Sequence, residues 1–262
     1  MKSPCFSSFS TSSSDDSVYD ETQEKSKCKV QILKDIPRTF SNLDIFSYAS
    51  AFQQLYRILY SYFIYDPQLG YTQGMNLLVG SLLMHCEENV AFWLFVALIE
   101  DYEMRDVFTD SLGGVQRHWK VIKHLVRQYL PKLAKHLEQN DIEIEMFATP
   151  WILSLFWSFI PVPFLHWFMT RFFKEKWVTF YRVCLSILAF LQPQILKIDD
   201  LSDFFEIMRQ LRMDQDFIEY EDRNYVNSPS IVETLIKWRE IIKRSDTDYP
   251  DISKHILSIQ NN

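Results

Sequence analysis

Glycine is scarce in this chain, with 5 residues in 262. No G-x-x-x-x-G-K-[ST] run exists, so the chain holds no P-loop for a nucleotide of its own. No G-x-S-x-G exists either, since Gly80-Ser81 has no partner glycine, and the nucleophile elbow of a hydrolase is excluded. H-E-x-x-H and C-x-x-C are missing. The four cysteines, Cys5, Cys28, Cys86 and Cys184, are scattered without ligand spacing, which argues against a structural zinc. His85-Cys86-Glu87-Glu88 resembles a ligand set. But His85 closes an apolar helix and no second cluster accompanies it, so it reads as a structural histidine. The six histidines and scattered carboxylates form no triad. Few cysteines and no signal peptide fit a reducing, cytoplasmic compartment, and neither end shows a lipidation motif. Basic excess is lacking too: 27 Lys and Arg stand against 34 Asp and Glu, a net charge of -7. That balance disfavours nucleic acid, whose binders carry a basic patch.

What is present is apolar and aromatic. Hydrophobic residues make up 47 % and aromatics 16 %, enough for a large core in one domain or two small ones. Residues 1–27 are Ser-rich with mixed charge and read as a disordered tail. Three-and-four spacing then recurs along the chain. It marks a helix over 47–64, another beginning at Gln73, and one from Glu87 to Asp101. After a loop at Gly113-Gly114 come an amphipathic helix over 115–138, buried helices over 147–194, an apolar side at 201–211, and a last helix ending near 245. Residues 246–262 read as a carboxy-terminal tail. No run of alternating strands and no repeat stands out, so the class is all-α.

One segment could suit a membrane. From Met146 to Thr170 there is no Asp, Glu, Lys or Arg, a length that spans a bilayer. Pro150, Pro161 and Pro163 divide it and His166 interrupts it, so it reads as a buried helix hairpin.

Two stretches carry chemical interest. Gly70-Tyr71-Thr72-Gln73-Gly74-Met75-Asn76 holds two of the five glycines. It puts Gln73 at a helix start, where unpaired N–H groups face outward. It is either a loop that begins a buried helix or a site. Ile32-x-x-Asp35-Ile36-Pro37-Arg38 places an arginine after a proline that disfavours helix, with Asp35 in reach of its guanidinium. That pair is either a surface ion pair or an oriented arginine. The intervening helix carries the chain about 25 Å at 1.5 Å per residue. The link from Tyr65 to Thr72 returns a similar distance at about 3.3 Å per residue. Arg38 and Gln73 can therefore meet.

Ile32-x-x-Asp35-x-x-Arg38 and Tyr71-x-Gln73-Gly74-Met75-Asn76 resemble the two signature motifs of the TBC domain, the helical GTPase-activating domain for Rab GTPases. The similarity continues through Glu88-Asn89-Val90-Ala91-Phe92-Trp93, Asp101-Tyr102-Glu103-Met104-Arg105, Trp151-Ile152-Leu153-Ser154-Leu155-Phe156 and Glu175-Lys176-Trp177, and fades after about residue 212. The resemblance implies a domain over 28–245 with catalytic Arg38 and Gln73, an arginine finger and a glutamine finger supplied in trans to a GTP-bound Rab. Asp35 would orient Arg38, Tyr71 and Asn76 would shape the loop around Gln73, and Gly74 would let the backbone approach the partner. The chain would be a GTPase activator rather than an enzyme with its own substrate. It would need no cofactor or metal of its own, because the partner holds GTP and magnesium. It would reach endomembranes through partners. The alternative is a non-catalytic helical scaffold that binds a small GTPase or another trafficking protein. Two departures stand out. The family's helical portion before the arginine motif is replaced by the Ser-rich tail, an abbreviated amino-terminal end. A Trp-Asp pair of the family is here Met169-Thr170, and the glycine before Trp177 is Lys176.

Overall fold

The computed structural model describes residues 15–40, 49–109, 111–157, 159–211 and 229–260. Among the described residues every regular element is helical. Helix α1 (Asp15–Asp35) runs into a 3-10 turn, Ile36–Arg38, and α2 (Ala49–Tyr65), α3 (Met75–Leu83) and α4 (Glu88–Glu100) follow. A second 3-10 turn, Arg105–Val107, leads to α5 (Gly113–Tyr129), α6 (Pro131–Gln139) and α7 (Ile144–Ser154). Then come α8 (Val162–Glu175), α9 (Trp177–Ile195), α10 (Leu201–Arg209), α11 (Pro229–Thr247) and α12 (Ile252–Gln260).

The all-α expectation holds, and the boundaries differ for physical reasons. Helix α1 begins at Asp15, so residues 15–27 are helical rather than tail. Once Ile32 and Ile36 are buried, the polar residues before them extend the helix at little cost, since Glu, Gln and Lys are good helix formers. Residues 1–14 lie outside the described residues. Residues 246–262 are not a tail either. Helix α12 packs on α5 and α9, and buries Ile252 and Ile256, while Tyr249 meets Tyr129 edge-on at 5.3 Å. The span 115–138 divides at Leu130, because Pro131 opens α6 where its missing N–H is harmless. Gly113 and Gly114 belong to α5, not to a loop.

Helix α9 is the central element, flanked by α5, α8, α10, α11 and α12. It is long and apolar enough to cross a membrane by length and composition, and 61 % of that window is buried inside the protein. The uncharged 146–170 stretch forms two short helices, α7 of 11 residues and α8 of 14. Pro150 sits inside α7 without ending it; the break falls at Leu155 and Phe156, both left-handed. Aromatic rings join α8 to α9: Phe172 meets Trp177 at 5.8 Å, and Phe156, just before α8, meets Phe168 at 6.1 Å and Phe180 at 4.6 Å.

Helices α2, α3 and α4 pack on one another, with α1 on α2. Helix α3 touches α7 across the molecule. Its N-terminus therefore lies against the second group of helices, and the glycine-bearing stretch is fixed there.

Candidate functional site

Helix α1 ends in a buried acid. Asp35 is 0 % exposed, one turn after Ile32 on the side that packs against α2. A buried carboxylate needs compensating donors. Tyr71 Oη donates to its Oδ2 at 2.6 Å. Arg38 Nη2 donates to Oδ1, and Gln31 Nε2 adds a longer contact at 3.3 Å. Burial first, then the bond to Asp35, pushes the Tyr71 phenol far above its usual range, so it stays a donor.

The turn after Asp35 sets the direction of Arg38. Pro37 falls in the 3-10 turn, where no N–H is required. The proline that disfavours α-helix does not leave an open loop: the backbone winds more tightly and closes with Thr39 N–H on the Ile36 carbonyl at 2.9 Å. The Thr39 hydroxyl donates to the Asp35 carbonyl at 2.8 Å, satisfying a helix-end acceptor. Arg38 keeps 55 % of its side chain exposed while Asp35 holds one edge of it.

The second stretch of the site is the 66–74 connection between α2 and α3. Gly74 N-caps α3 with φ +109°, a backbone that L side chains resist. An added Cβ would lie 3.4 Å from Phe108 Cε1 and 3.6 Å from the Leu153 carbonyl oxygen. Gly74 is thus buried, and its missing side chain makes room for Phe108 and Leu153 of its own chain. Gln73, one residue earlier, is exposed, and among the described residues its side chain has no hydrogen-bond partner.

Asn76 ties the two stretches together. Its Oδ1 accepts the Gly74 N–H at 3.0 Å, and its Nδ2 donates to Thr39 Oγ1 at 2.8 Å. The residue before Gly74 is Gln73, and the residue before Thr39 is Arg38. The structure therefore brings Asp35, Arg38, Tyr71, Gly74 and Asn76 into one network, with Gln73 at its outer edge. Thr39 also belongs to it, Thr72 reaches the Phe108 carbonyl at 3.2 Å, and Arg105 pairs with Asp66; none of these five stands out as a site residue in the sequence. In the sequence, Arg105 is marked only as the end of the similar segment Asp101–Arg105, and Thr72 only as part of the glycine-bearing stretch.

A profile of the Rab-GTPase-TBC domain matches residues 3–196. The chain belongs to the Rab-GTPase-TBC domain family. That match begins before α1 and takes in the whole network. Small G protein signaling modulator 3 of Bos taurus is 29 % identical over 196 residues, 74 % of this chain and 26 % of that protein. The Rab GTPase-activating protein tbc-11 of Caenorhabditis elegans is 32 % identical over 170 residues, 64 % of this chain and 18 % of that protein. The chain thus spans about a quarter or less of the length of these relatives. In fold it is similar to the crystal structure of the Chlamydomonas flagellar RabGAP TBC domain, with TM-score 0.68 at 24 % identity, covering 88 % of this chain and 70 % of that one.

Proposed function

We propose that this TBC domain accelerates GTP hydrolysis by a GTP-bound Rab-family GTPase, with Arg38 as arginine finger and Gln73 as glutamine finger. In phosphoryl transfer the barrier falls when positive charge meets the developing charge on the phosphate oxygens. The exposed edge of the Arg38 guanidinium supplies that charge. The Gln73 amide both donates and accepts, and so orients the attacking water. Asp35 holds Arg38 at its base, and Tyr71 and Asn76 keep the two stretches together. Neither finger has to titrate. GTP and its magnesium ion stay with the partner, and the chain acts in the cytoplasm at endomembranes to which partners recruit it. It completes another protein's active site and turns over no substrate alone.

The observation that carries this reading is that Arg38 and Gln73 are exposed side chains resting on one buried network. That arrangement fixes two polar groups while leaving both free to meet something outside. The test is a panel of GTP-loaded Rab proteins assayed for phosphate release with wild-type chain, Arg38→Ala and Gln73→Ala. Arg38→Ala is expected to lose about 10³–10⁵ of the stimulation, and Gln73→Ala a large share of it, with the fold retained. Undiminished stimulation by both variants overturns the fingers. Binding without acceleration by wild type replaces them with the scaffold reading.

A further inference from the structure

The loop that presents Gln73 is held at both ends by one short element. At its start, Asp66 accepts two N–H groups of Arg105: Nη1 on Oδ2, and Nη2 on Oδ1 at 3.2 Å. Asp66 also accepts the Leu69 N–H at 3.3 Å and the Tyr62 hydroxyl at 3.2 Å, and its carbonyl takes the Gly70 N–H at 2.9 Å. At the far end, the Thr72 hydroxyl donates to the Phe108 carbonyl at 3.2 Å, and the Phe108 ring closes over Gly74. Arg105 and Phe108 begin and follow the same 3-10 turn, joined by the Phe108 N–H on the Arg105 carbonyl at 3.1 Å.

That turn is a rigid mount. Met104, Val107 and Phe108 are buried to 2 % exposure or less. The first turn of α5 presses on it so closely that a Cβ at Gly114 would stand 2.5 Å from the Asp106 carbonyl carbon. Two parallel N–H bonds from a planar guanidinium fix angle as well as distance. Burial alone would raise the Asp66 carboxyl; the bonds from Arg105 and the Leu69 N–H outweigh it and hold the group below its usual range.

We infer that Arg105 is a positioning residue for Gln73, acting through Asp66, with Phe108 as the second anchor of the same loop. This rests on the role proposed for Gln73. Arg105 acts on when the amide is in place, not on whether the partner docks, and misplacement by about 1 Å costs on the order of 10²-fold in rate.

Arg105→Met is the variant, with Thr72→Val as the independent cut at the other anchor. Each is expected to lower kcat of stimulated hydrolysis by on the order of ten- to a hundredfold with KM for the GTP-loaded partner nearly unchanged. On a Gln73→Ala background Arg105→Met is expected to cost little more, while on an Arg38→Ala background its full cost returns. Equal costs on both backgrounds, or a change confined to KM, overturns the assignment. Amide hydrogen exchange of the chain alone gives a second readout that needs no activity. Peptides covering 69–74 are expected to exchange at least about tenfold faster in Arg105→Met, with peptides from α9 unchanged. Unchanged exchange at 69–74, or faster exchange everywhere, overturns the brace. A wild-type chain that stimulates no GTPase removes the proposed function, and the exchange result still decides the brace.

Discussion

The Asn76 side-chain amide donates to the Thr39 hydroxyl at 2.8 Å across 37 residues of sequence, with both groups buried. The Thr39 hydroxyl spends its own proton on the Asp35 carbonyl, so it can only accept from Asn76. The amide orientation follows: nitrogen to Thr39, oxygen to the Gly74 N–H. Asn76→Ala leaves buried groups unpaired and is expected to destabilise the fold by about 1–3 kcal/mol. Asn76→Asp keeps the shape and puts an acceptor where a donor is needed, near the Asp35 carboxylate. Such a carboxyl is raised above its unfolded value of roughly 3.9. Its penalty is therefore absent below about pH 4 and grows as pH rises through the folded value. Urea melts at pH 7 should rank Asn76→Asp below Asn76→Ala, and the ranking should close toward pH 4. The reverse ranking at pH 7 would mean that the amide is flipped.

Tyr71 reaches Asp35 from 36 residues away in the sequence, its hydroxyl donating to Oδ2 at 2.6 Å. Tyr71→Phe removes only the hydroxyl and leaves the ring packed on the core. A lost hydrogen bond to a buried carboxylate costs about 1.5–3 kcal/mol. A midpoint in urea indistinguishable from wild type would show that water or Gln31 replaces the phenol in full.

Gly114 tests the mount under the Gln73 loop. By helix propensity alone, Gly→Ala within α5 should stabilise by about 1 kcal/mol. Here the new Cβ would meet backbone at 2.5, 2.6 and 2.7 Å, and backbone does not yield as a side-chain tip does. Gly114→Ala is expected to destabilise by about 1–3 kcal/mol, measured by thermal or urea unfolding. A stabilised variant would show that the 3-10 turn slides freely.

The helices were legible because burial on one side repeats every three or four residues; Val115, Ile122, Leu125 and Val126 on α5 are the clearest case. Arg38 and Gln73 were legible as motif residues. What joins them was not. The bonds Tyr71–Asp35, Asn76–Thr39 and Arg105–Asp66 cross 36 to 39 residues, and no periodicity encodes a contact at such a distance. Helix boundaries failed where composition misled. The polar, charged start of α1 hid a helix whose buried apolar residue, Ile32, lies near its far end. The glycines at 113 and 114 looked like loop but serve close packing. Scarcity of glycine also has a structural consequence that the sequence did not display. Among the described residues, left-handed backbone falls on Phe40, Glu103, Leu112, Asp141, Leu155, Phe156 and Lys176, against two glycines.

Lys176 is the position where the family resemblance places glycine. It joins α8 to α9 at φ +53°, ψ -137°, a region that disfavours a Cβ. Its ammonium donates to the Asp101 carbonyl at 2.9 Å and lies over the Tyr102 ring, which offsets part of the strain. Ala and Gly both discard those contacts, so the comparison between them isolates the backbone. Lys176→Gly is expected to be more stable than Lys176→Ala by about 1 kcal/mol, reversing the usual order of the two residues. Equal thermal midpoints would mean that the α8–α9 junction relaxes to negative φ.

His118 should make stability depend on pH. It is 2 % exposed, its Nδ1 lies 2.6 Å from Tyr181 Oη, and its ring stacks on Trp177 at 3.6 Å. Among the described residues its Nε2 has no partner, so an added proton has nothing to receive it. Burial first, then the neighbouring Arg117 charge, lowers its pKa from 6.5 to about 3. The unfolded chain binds a proton below about pH 6.5 that the folded chain refuses until near pH 3. Stability is therefore whole above that window and falls as pH drops through it, by up to about 1.4 kcal/mol per pH unit from this one group. His118→Gln cannot take up the proton. Its unfolding free energy, although lower at pH 7, should fall less steeply than that of wild type between pH 6.5 and 4. Parallel slopes for the two proteins would show that His118 finds a partner for its charge inside the fold.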